Sequence, residues 1–249
     1  MILRQFLHND PVAASYLLGC VGKSMGAVID PLFPIEPYLA AAEALATPIR
    51  YVIDTHIHAD HRSGGRALAA ATGADYVLHA QAETGFAFHR VADGDRLAMG
   101  NVVLEVLHTP GHTPEHLCLL VADRTRGEEP WFLLSGHTLM IGDVGRTELA
   151  SDAATGAKDL FRSLARMKAL PDYLEVLPGA FAGSVCGRGL SGKPSSSLGF
   201  ERRFNDAFRI CDEDEFVAFM LANIPPPPAE AAARRAENAG LITSALARV

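Results

Sequence analysis

Several features that would place a chain in a specialised class are scarce in this sequence. It has four cysteines among 249 residues, widely scattered and without a CxxC pair, so we interpret them as buried reduced thiols. Only Cys186, in a glycine-rich segment, could lie near a site, although nothing in its spacing requires this. No apolar run approaches the length of a membrane-spanning helix, and we expect no membrane partner.

Basic charge is also scarce. The formal net charge is −7 and the pI is near 5.8, so no basic patch is evident that would hold a nucleic acid or an anionic membrane. The apolar start, residues 1–7, is short and is interrupted by His8, Asn9 and Asp10, which is not typical of a secretory signal. We therefore expect a cytoplasmic protein without a nucleic-acid partner.

The composition itself is that of an ordinary globular chain, with 49% apolar and 20% charged residues. Strands are predicted in runs with helices between the runs, which favours two sheets packed face to face over a regularly alternating sheet. The predicted strands are residues 2–7, 14–19, 27–29, 51–53, 76–78, 102–107, 117–121, 131–134 and 173–177. The predicted helices are residues 37–46, 66–72, 157–169, 213–222 and 229–239.

The sequence changes character after residue 181. A Gly/Ser-rich stretch runs to about residue 197, and prolines 225–228 form a rigid spacer before the last predicted helix, which Gly240 ends. Neither an internal repeat nor a second core is evident. We therefore predict a single domain over residues 1–249, with a C-terminal extension (about 181–249) packed on it.

Histidines are the informative residue type, because several follow predicted strands. The segment from His56 to His61 reads HIHADH and places four potential ligands (His56, His58, Asp60 and His61) within six positions. His112 follows the next long strand in the motif PGHT, and His137 follows another strand in SGHT. Imidazole and carboxylate are preferred ligands of zinc and ferrous iron, so these strand ends predict a metal site.

These motifs, in this order, resemble those of the metallo-β-lactamase superfamily along nearly the whole chain. The resemblance implies an α/β, four-layered αββα sandwich with metal at one edge. A finer resemblance is to persulfide dioxygenases: residues 55–61 look like the THxHADH of that branch, and residues 139–148 look like its stretch ending GRTD. Residues 182–203 resemble the form that is often fused to rhodanese domains.

The resemblance implies one non-heme iron held at positions corresponding to His56, His112 and His137. Two residues depart from the family pattern: His137 stands where an Asp is expected, and Ala180 stands where a His is expected. In two-metal members that Asp bridges the ions and that His holds the second one. With only Asp60 and His61 left, we predict one metal, held by three histidines or by four if His58 joins them.

Three further residues receive roles by interpretation. Asp60 and His61 could orient ligands or move protons. Arg146 lies in the family-like Gly-Arg-Thr and could hold the carboxylate of a thiol carrier such as glutathione, or form a structural salt bridge. The histidines outside the motifs are interpreted as surface or core residues; they include His79, His89, His108 and His116.

The leading hypothesis is a mononuclear Fe(II) enzyme of the persulfide dioxygenase type, which oxidises the sulfur of a small thiol or persulfide with O2. The alternative is a zinc hydrolase of the glyoxalase II or lactonase kind, in which metal-bound hydroxide attacks a thioester or ester. A third interpretation is a metal-binding scaffold whose catalysis is reduced by the changes at residues 137 and 180. The resemblance is also compatible with a homo-oligomer, although no residue pattern demonstrates one.

Overall fold

A computed structural model describes residues 1–222, 224 and 226–242, and within them two six-stranded sheets carry the architecture. The strands are β1 Ile2–Asn9, β2 Val12–Cys20, β3 Met25–Ile29, β4 Ile49–Ile53, β5 Asp75–His79, β6 His89–Val91, β7 Arg96–Met99, β8 Val102–His108, β9 Leu117–Asp123, β10 Phe132–Gly136, β11 Glu175–Pro178 and β12 Ser196–Ser197. The helices are α1 Glu36–Ala44, α2 Gly65–Thr72, α3 Ala153–Lys168, α4 Leu198–Phe204, α5 Asp206–Arg209, α6 Glu213–Leu221 and α7 Ala231–Asn238.

Both sheets are mixed. In the first sheet the order is β1-β2-β3-β4-β5-β6, antiparallel up to β3 and parallel from β3 to β6. In the second the order is β12-β11-β10-β9-β8-β7, and only the β10–β11 pair is parallel. Parallel neighbours end at the same edge, so the residues that follow β3 and β4, or β10 and β11, are brought together.

The core follows the two-residue period of the strands. In β9, Leu117, Leu119 and Val121 face the core between the sheets, whereas Cys118 and Leu120 face the cluster formed with helices α3 and α6. A third cluster packs α1 and α2 on the outer face of the first sheet. The result is helices, sheet, sheet and helices in four layers, which confirms the αββα sandwich that the resemblance implied.

The predicted elements match the observed ones with differences at their ends. Five elements were missed: the short strands β6, β7 and β12 and the short helices α4 and α5. Each has seven residues or fewer, too few for a clear periodic signal. The predicted proline spacer lies partly outside the described residues, because Pro225 is not among them. Within the described part of the chain, every helix is too short or too polar to span a bilayer.

Helix α7 returns to the first sheet. Ala239, directly after it, packs in a small apolar cluster with Ile57, Leu78 and Ala82. The Ala239 carbonyl also accepts a hydrogen bond from the backbone N–H of Gly85 (2.8 Å). The end of the described chain is therefore anchored beside the segment that carries the HxHxDH motif.

Candidate metal centre

The predicted ligand motifs meet at one edge of the two sheets. The loop after β4, residues 54–63, is joined to the second sheet by a hydrogen bond from the Leu117 N–H to the Thr55 carbonyl (2.9 Å). On the second sheet, the Gly179 N–H after β11 donates to the Gly136 carbonyl at the end of β10 (2.7 Å). These two bonds bring the four motif-bearing strand ends into one centre.

Three histidines form the innermost group. His56, His112 and His137 are all buried, and each offers one ring nitrogen within 4.8 Å of the other two. Among the described residues, His56 Nε2 and His137 Nε2 are buried without a hydrogen-bond partner. Buried polar atoms are normally paired, so three converging imidazoles, two of which have an unpaired nitrogen, fit a metal that accepts their lone pairs.

The orientation of His112 is fixed by the backbone. Its Nδ1 lies 2.7 Å from the carbonyl oxygen of Arg146, and a carbonyl can only accept, so Nδ1 carries the proton. Nε2 of His112 therefore carries a lone pair that points into the centre, and this nitrogen lies 3.2 Å from Nδ1 of His137. Burial, together with the neighbouring His137, lowers the pKa of His112 to about 3. A neutral imidazole with a directed lone pair is the form that binds metal.

The backbone of His137 is held by His116, to which the sequence analysis assigned no role in the site. The backbone N–H of His137 donates to His116 Nε2 (3.0 Å), so His116 carries its proton on Nδ1, which lies 3.0 Å from Thr109 Oγ1. Gly136 has a φ of +49°, and a Cβ there would lie 2.6 Å from His116 Nε2. Both the positive φ and the lack of space for a Cβ therefore require glycine before His137.

His58 is held by a carboxylate that was also not predicted. Its Nε2 lies 3.1 Å from Asp30 Oδ1, and the Thr55 N–H donates to the same oxygen (2.6 Å). Asp30 follows β3 with a φ of +50°, a conformation that is uncommon outside glycine and often marks a functional site. Burial opposes charge on His58, but Asp30 and Asp60 raise its pKa well above the usual range. Nε2 of His58 is therefore occupied by the contact with the Asp30 carboxylate.

Asp60 and His61 lie next to the three-histidine group. Asp60 Oδ2 is 3.1 Å from His61 Nδ1, and Asp60 Oδ1 is 3.6 Å from His58 Nδ1. Burial disfavours the charged carboxylate, but His61 and His58 outweigh it and hold the pKa of Asp60 well below its usual range. Asp60, His137 and the thiol of Cys186 also form a second potential ligand group. Ala180 is fully buried at this edge and offers no ligand atom.

Arg146 contributes to the centre through its backbone. Its carbonyl orients His112, as described above, while its buried guanidinium pairs with Glu148 and donates to the Val185 carbonyl (3.1 Å). These contacts agree with the salt-bridge alternative. The role of Arg146 in holding a substrate carboxylate stays a prediction.

Helix α7 fastens the ligand loop through two side chains that carried no sequence signal. The Arg235 guanidinium makes a paired contact with the Glu115 carboxylate (3.0 Å at both oxygens) and donates to the Ile57 carbonyl (2.6 Å). Glu115 Oε1 in turn accepts from the Ile57 N–H (2.9 Å). The residue between the first two motif histidines is therefore bonded at both of its backbone groups.

Asn238 fastens the other end of the same loop. Its side-chain amide donates to the carbonyls of His58 and His61, both at 2.8 Å. Its side-chain oxygen accepts from the Ser63 N–H (3.1 Å). These partners are separated from Asn238 by 175 to 180 positions, which explains why no local motif could reveal them.

Comparison with known proteins places the chain among metal-dependent enzymes. The sequence model of the metallo-beta-lactamase superfamily matches residues 10–179. A hydroxyacylglutathione hydrolase of Rhodospirillum rubrum is 36% identical over 165 residues, which cover 63% of this chain and 57% of that protein. The human mitochondrial persulfide dioxygenase ETHE1 is 26% identical over 230 residues, covering 91% of this chain and 84% of that protein. The chain thus spans less than two thirds of the hydrolase.

Two solved structures superpose on nearly the whole chain. A metallo-beta-lactamase from Staphylococcus aureus has a TM-score of 0.91 at 34% identity, over 96% of this chain and 72% of that one. ETHE1 from Myxococcus xanthus has a TM-score of 0.83 at 27% identity, over 97% of this chain and 99% of that one. Of the two relatives compared by sequence, the Rhodospirillum rubrum hydrolase has the higher identity, and human ETHE1 matches more of the chain.

Proposed function

This chain belongs to the metallo-beta-lactamase superfamily, and we propose that it is a mononuclear non-heme iron(II) enzyme that oxidises the sulfur of a persulfide or thiol with O2. The observation that carries the proposal is the three-histidine group of His56, His112 and His137, which lacks a carboxylate to bridge two ions. The match to ETHE1 over nearly the full length of both chains supports it.

The residues around the group are suited to this chemistry. Bound iron(II) would supply the redox chemistry for O2 and open positions for the substrate sulfur. His112 is held in its metal-binding tautomer by the Arg146 carbonyl. Asp60 and His61, 3.1 Å apart, can take the proton that an incoming thiol or persulfide loses. They can also take the protons released when the outer sulfur of a persulfide reacts with O2 and water to give sulfite and a thiol.

A zinc hydrolase is the second candidate, because hydroxyacylglutathione hydrolases are 36% and 38% identical to parts of the chain. In that chemistry a metal-bound hydroxide attacks a thioester, and two-metal members use a carboxylate that bridges the ions. Here His137 occupies the end of β10 and Ala180 follows β11, so neither the carboxylate nor the last histidine is present. The ligand set therefore argues against a two-metal hydrolase.

The first experiment is metal analysis of anaerobically purified protein together with oxygen uptake on glutathione persulfide. We expect about one iron per chain and persulfide-dependent uptake. His112→Ala should remove both, whereas His89→Ala, at an exposed histidine outside the centre, should retain both. Zinc-loaded protein that hydrolyses a glutathione thioester and takes up no oxygen would instead establish the hydrolase.

A double variant separates the two candidates further. His137→Asp combined with Ala180→His supplies the carboxylate and the histidine that the two-metal pattern expects. We expect this variant to gain thioester hydrolysis that the parent chain lacks, measured with the same thioester and matched metal loading. Equal hydrolysis by parent and variant would contradict the oxygenase assignment.

A further inference from the structure

A cavity of about 410 Å³ lies at the end of the ligand loop (residues 54–63), between the start of helix α2 and helix α7. Its volume is within the range of about 300–1,000 Å³ that is usual for small-molecule sites. Among its described lining residues there is no histidine of the metal centre, so the cavity is a separate site. The residues that line it include Phe33, Arg62, Arg66, Glu237, Asn238 and Ile242.

Two arginines give this cavity its chemistry. The guanidinium of Arg62 lies over the ring of Phe33, with 4.2 Å between its central carbon and the ring centroid. The guanidinium of Arg66 lies over the ring of Phe86 in the same way, at 4.1 Å. Stacking holds a planar guanidinium in place without using its N–H donors. Both arginines therefore keep donors for a ligand.

The positive charge at the cavity is only partly compensated. Glu237 is the one acid among the described lining residues. One oxygen of Glu237 accepts from Arg234 at 3.0 Å, and the other lies 3.8 Å from Nε of Arg62, beyond hydrogen-bonding distance. In the part of the chain that the structure describes, no carboxylate lies within 4.0 Å of Arg66. Cationic donors in a concave site of a chain whose net charge is −7 fit a small anion.

The cavity also adjoins the contacts that fasten the ligand loop. Asn238 lines the cavity and donates to the carbonyls of His58 and His61, both at 2.8 Å. Arg62 directly follows His61, and Arg66 lies in the first turn of α2. An anion bound to both arginines would therefore connect the end of the loop to this helix and stabilise the loop in its described conformation.

We propose that this cavity binds a small organic anion, whose carboxylate or phosphate group is held by Arg62 and Arg66 and whose apolar part packs beside Phe33 and Ile242. Arginine forms charge-assisted, bidentate hydrogen bonds with both kinds of group. The anion is an effector and not the substrate, because it binds outside the three-histidine group and acts on the metal centre through the ligand loop. The proposal does not depend on which reaction the metal centre catalyses.

Isothermal titration calorimetry of the full-length protein with its metal bound tests the proposal. The probes are phenyl phosphate, benzoate and benzamide, the neutral counterpart of benzoate. We expect one anion site, with benzamide at least about tenfold weaker than the preferred anion, and the comparison of the two anions identifies the group that the site prefers. Arg66→Gln should weaken binding of that anion at least about tenfold. Arg50→Gln is the matched control, because Arg50 also lies over a ring, that of Tyr51 (5.4 Å), but does not line the cavity.

Hydrogen exchange supplies the second measurement. The preferred anion should slow exchange in residues 56–63 of the parent chain and leave it unchanged in Arg66→Gln. The proposal would be overturned if neither anion bound at about 10 mM, if benzamide bound as tightly as the anions, or if the parent chain and Arg66→Gln bound alike. Binding that left exchange in the loop unchanged would contradict the effector role. If Arg66→Gln fails to fold, Arg62→Gln decides by the same criteria.

Discussion

The loop after β4 (residues 54–63) and the ligand turns of the second sheet contribute to one metal centre, but they are held from different distances along the chain. His112 and His137 are oriented by the Arg146 carbonyl and the His116 ring, 34 and 21 positions away. The loop depends on Arg235 and Asn238 in helix α7, up to 180 positions away. The loop half of the centre therefore depends on helix α7, whereas the ligands of the sheet half are oriented from within 34 positions.

The largest effect is expected in the sheet half. His116→Ala leaves the buried N–H of His137 unpaired and opens a cavity, so we expect the free energy of unfolding to fall by about 3–5 kcal/mol. Metal affinity should fall by about tenfold to a hundredfold, because His137 loses its support. Urea unfolding and metal titration measure the two effects. His89→Ala is the exposed control, and equal losses in both variants would show that His116 has no special role.

Arg235→Ala tests the loop half and should have the next largest effect. The substitution leaves the Glu115 carboxylate, whose side chain is 3% exposed, buried without its cation. We expect a loss of about 2–3 kcal/mol, below the usual range for a fully buried pair because Arg235 is 23% exposed. Hydrogen exchange should rise in residues 56–63 and remain unchanged in β8 to β10.

Arg234→Ala is the matched control for that experiment. Arg234 lies on the same helix but pairs with Glu230 and Glu237, four and three positions away and not in the ligand loop. Such pairs contribute at most about 0.5 kcal/mol. If Arg234→Ala accelerated exchange in the loop as strongly as Arg235→Ala, the effect would belong to the helix as a whole and not to the Glu115 contact.

Asn238→Ala should have a smaller effect on the same loop. It removes three partly buried hydrogen bonds to backbone groups of residues 58–63, and we expect a loss of about 1–2 kcal/mol. Asn238→Asp keeps the acceptor for the Ser63 N–H but sets an acceptor-only carboxylate oxygen against the carbonyls of His58 and His61, so its effect should exceed that of the alanine variant. Thermal unfolding of the metal-free proteins would reveal a different order if the amide donors are unimportant.

The smallest effect concerns pH. Burial raises and Arg235 lowers the pKa of Glu115, and the net result is a pKa below its ordinary value of 4.5. A lowered folded-state pKa gives stability that is complete above 4.5 and is lost as pH falls through the folded value. Glu115→Gln should therefore show a shallower acid dependence of unfolding than the parent chain. Parallel curves for the two metal-free proteins would contradict the pairing.

Much of this protein follows from its sequence. The runs of strands with helices between the runs predicted two packed sheets, because each sheet must bury one face. The motif histidines were identifiable because they directly follow strands. Their convergence followed from the family resemblance, and the geometry brings His56, His112 and His137 together.

Only the tertiary structure decided what surrounds those histidines. Asp30, His116, Arg235 and Asn238 reach the centre from other strands or from the end of the chain. Cys186 comes from a later loop, and its spacing did not require a place in the site. Sequence periodicity reports which face of an element is buried, since that depends on neighbours within a few residues. Contacts between residues on different strands and helices depend on how whole layers pack, and no local pattern encodes them.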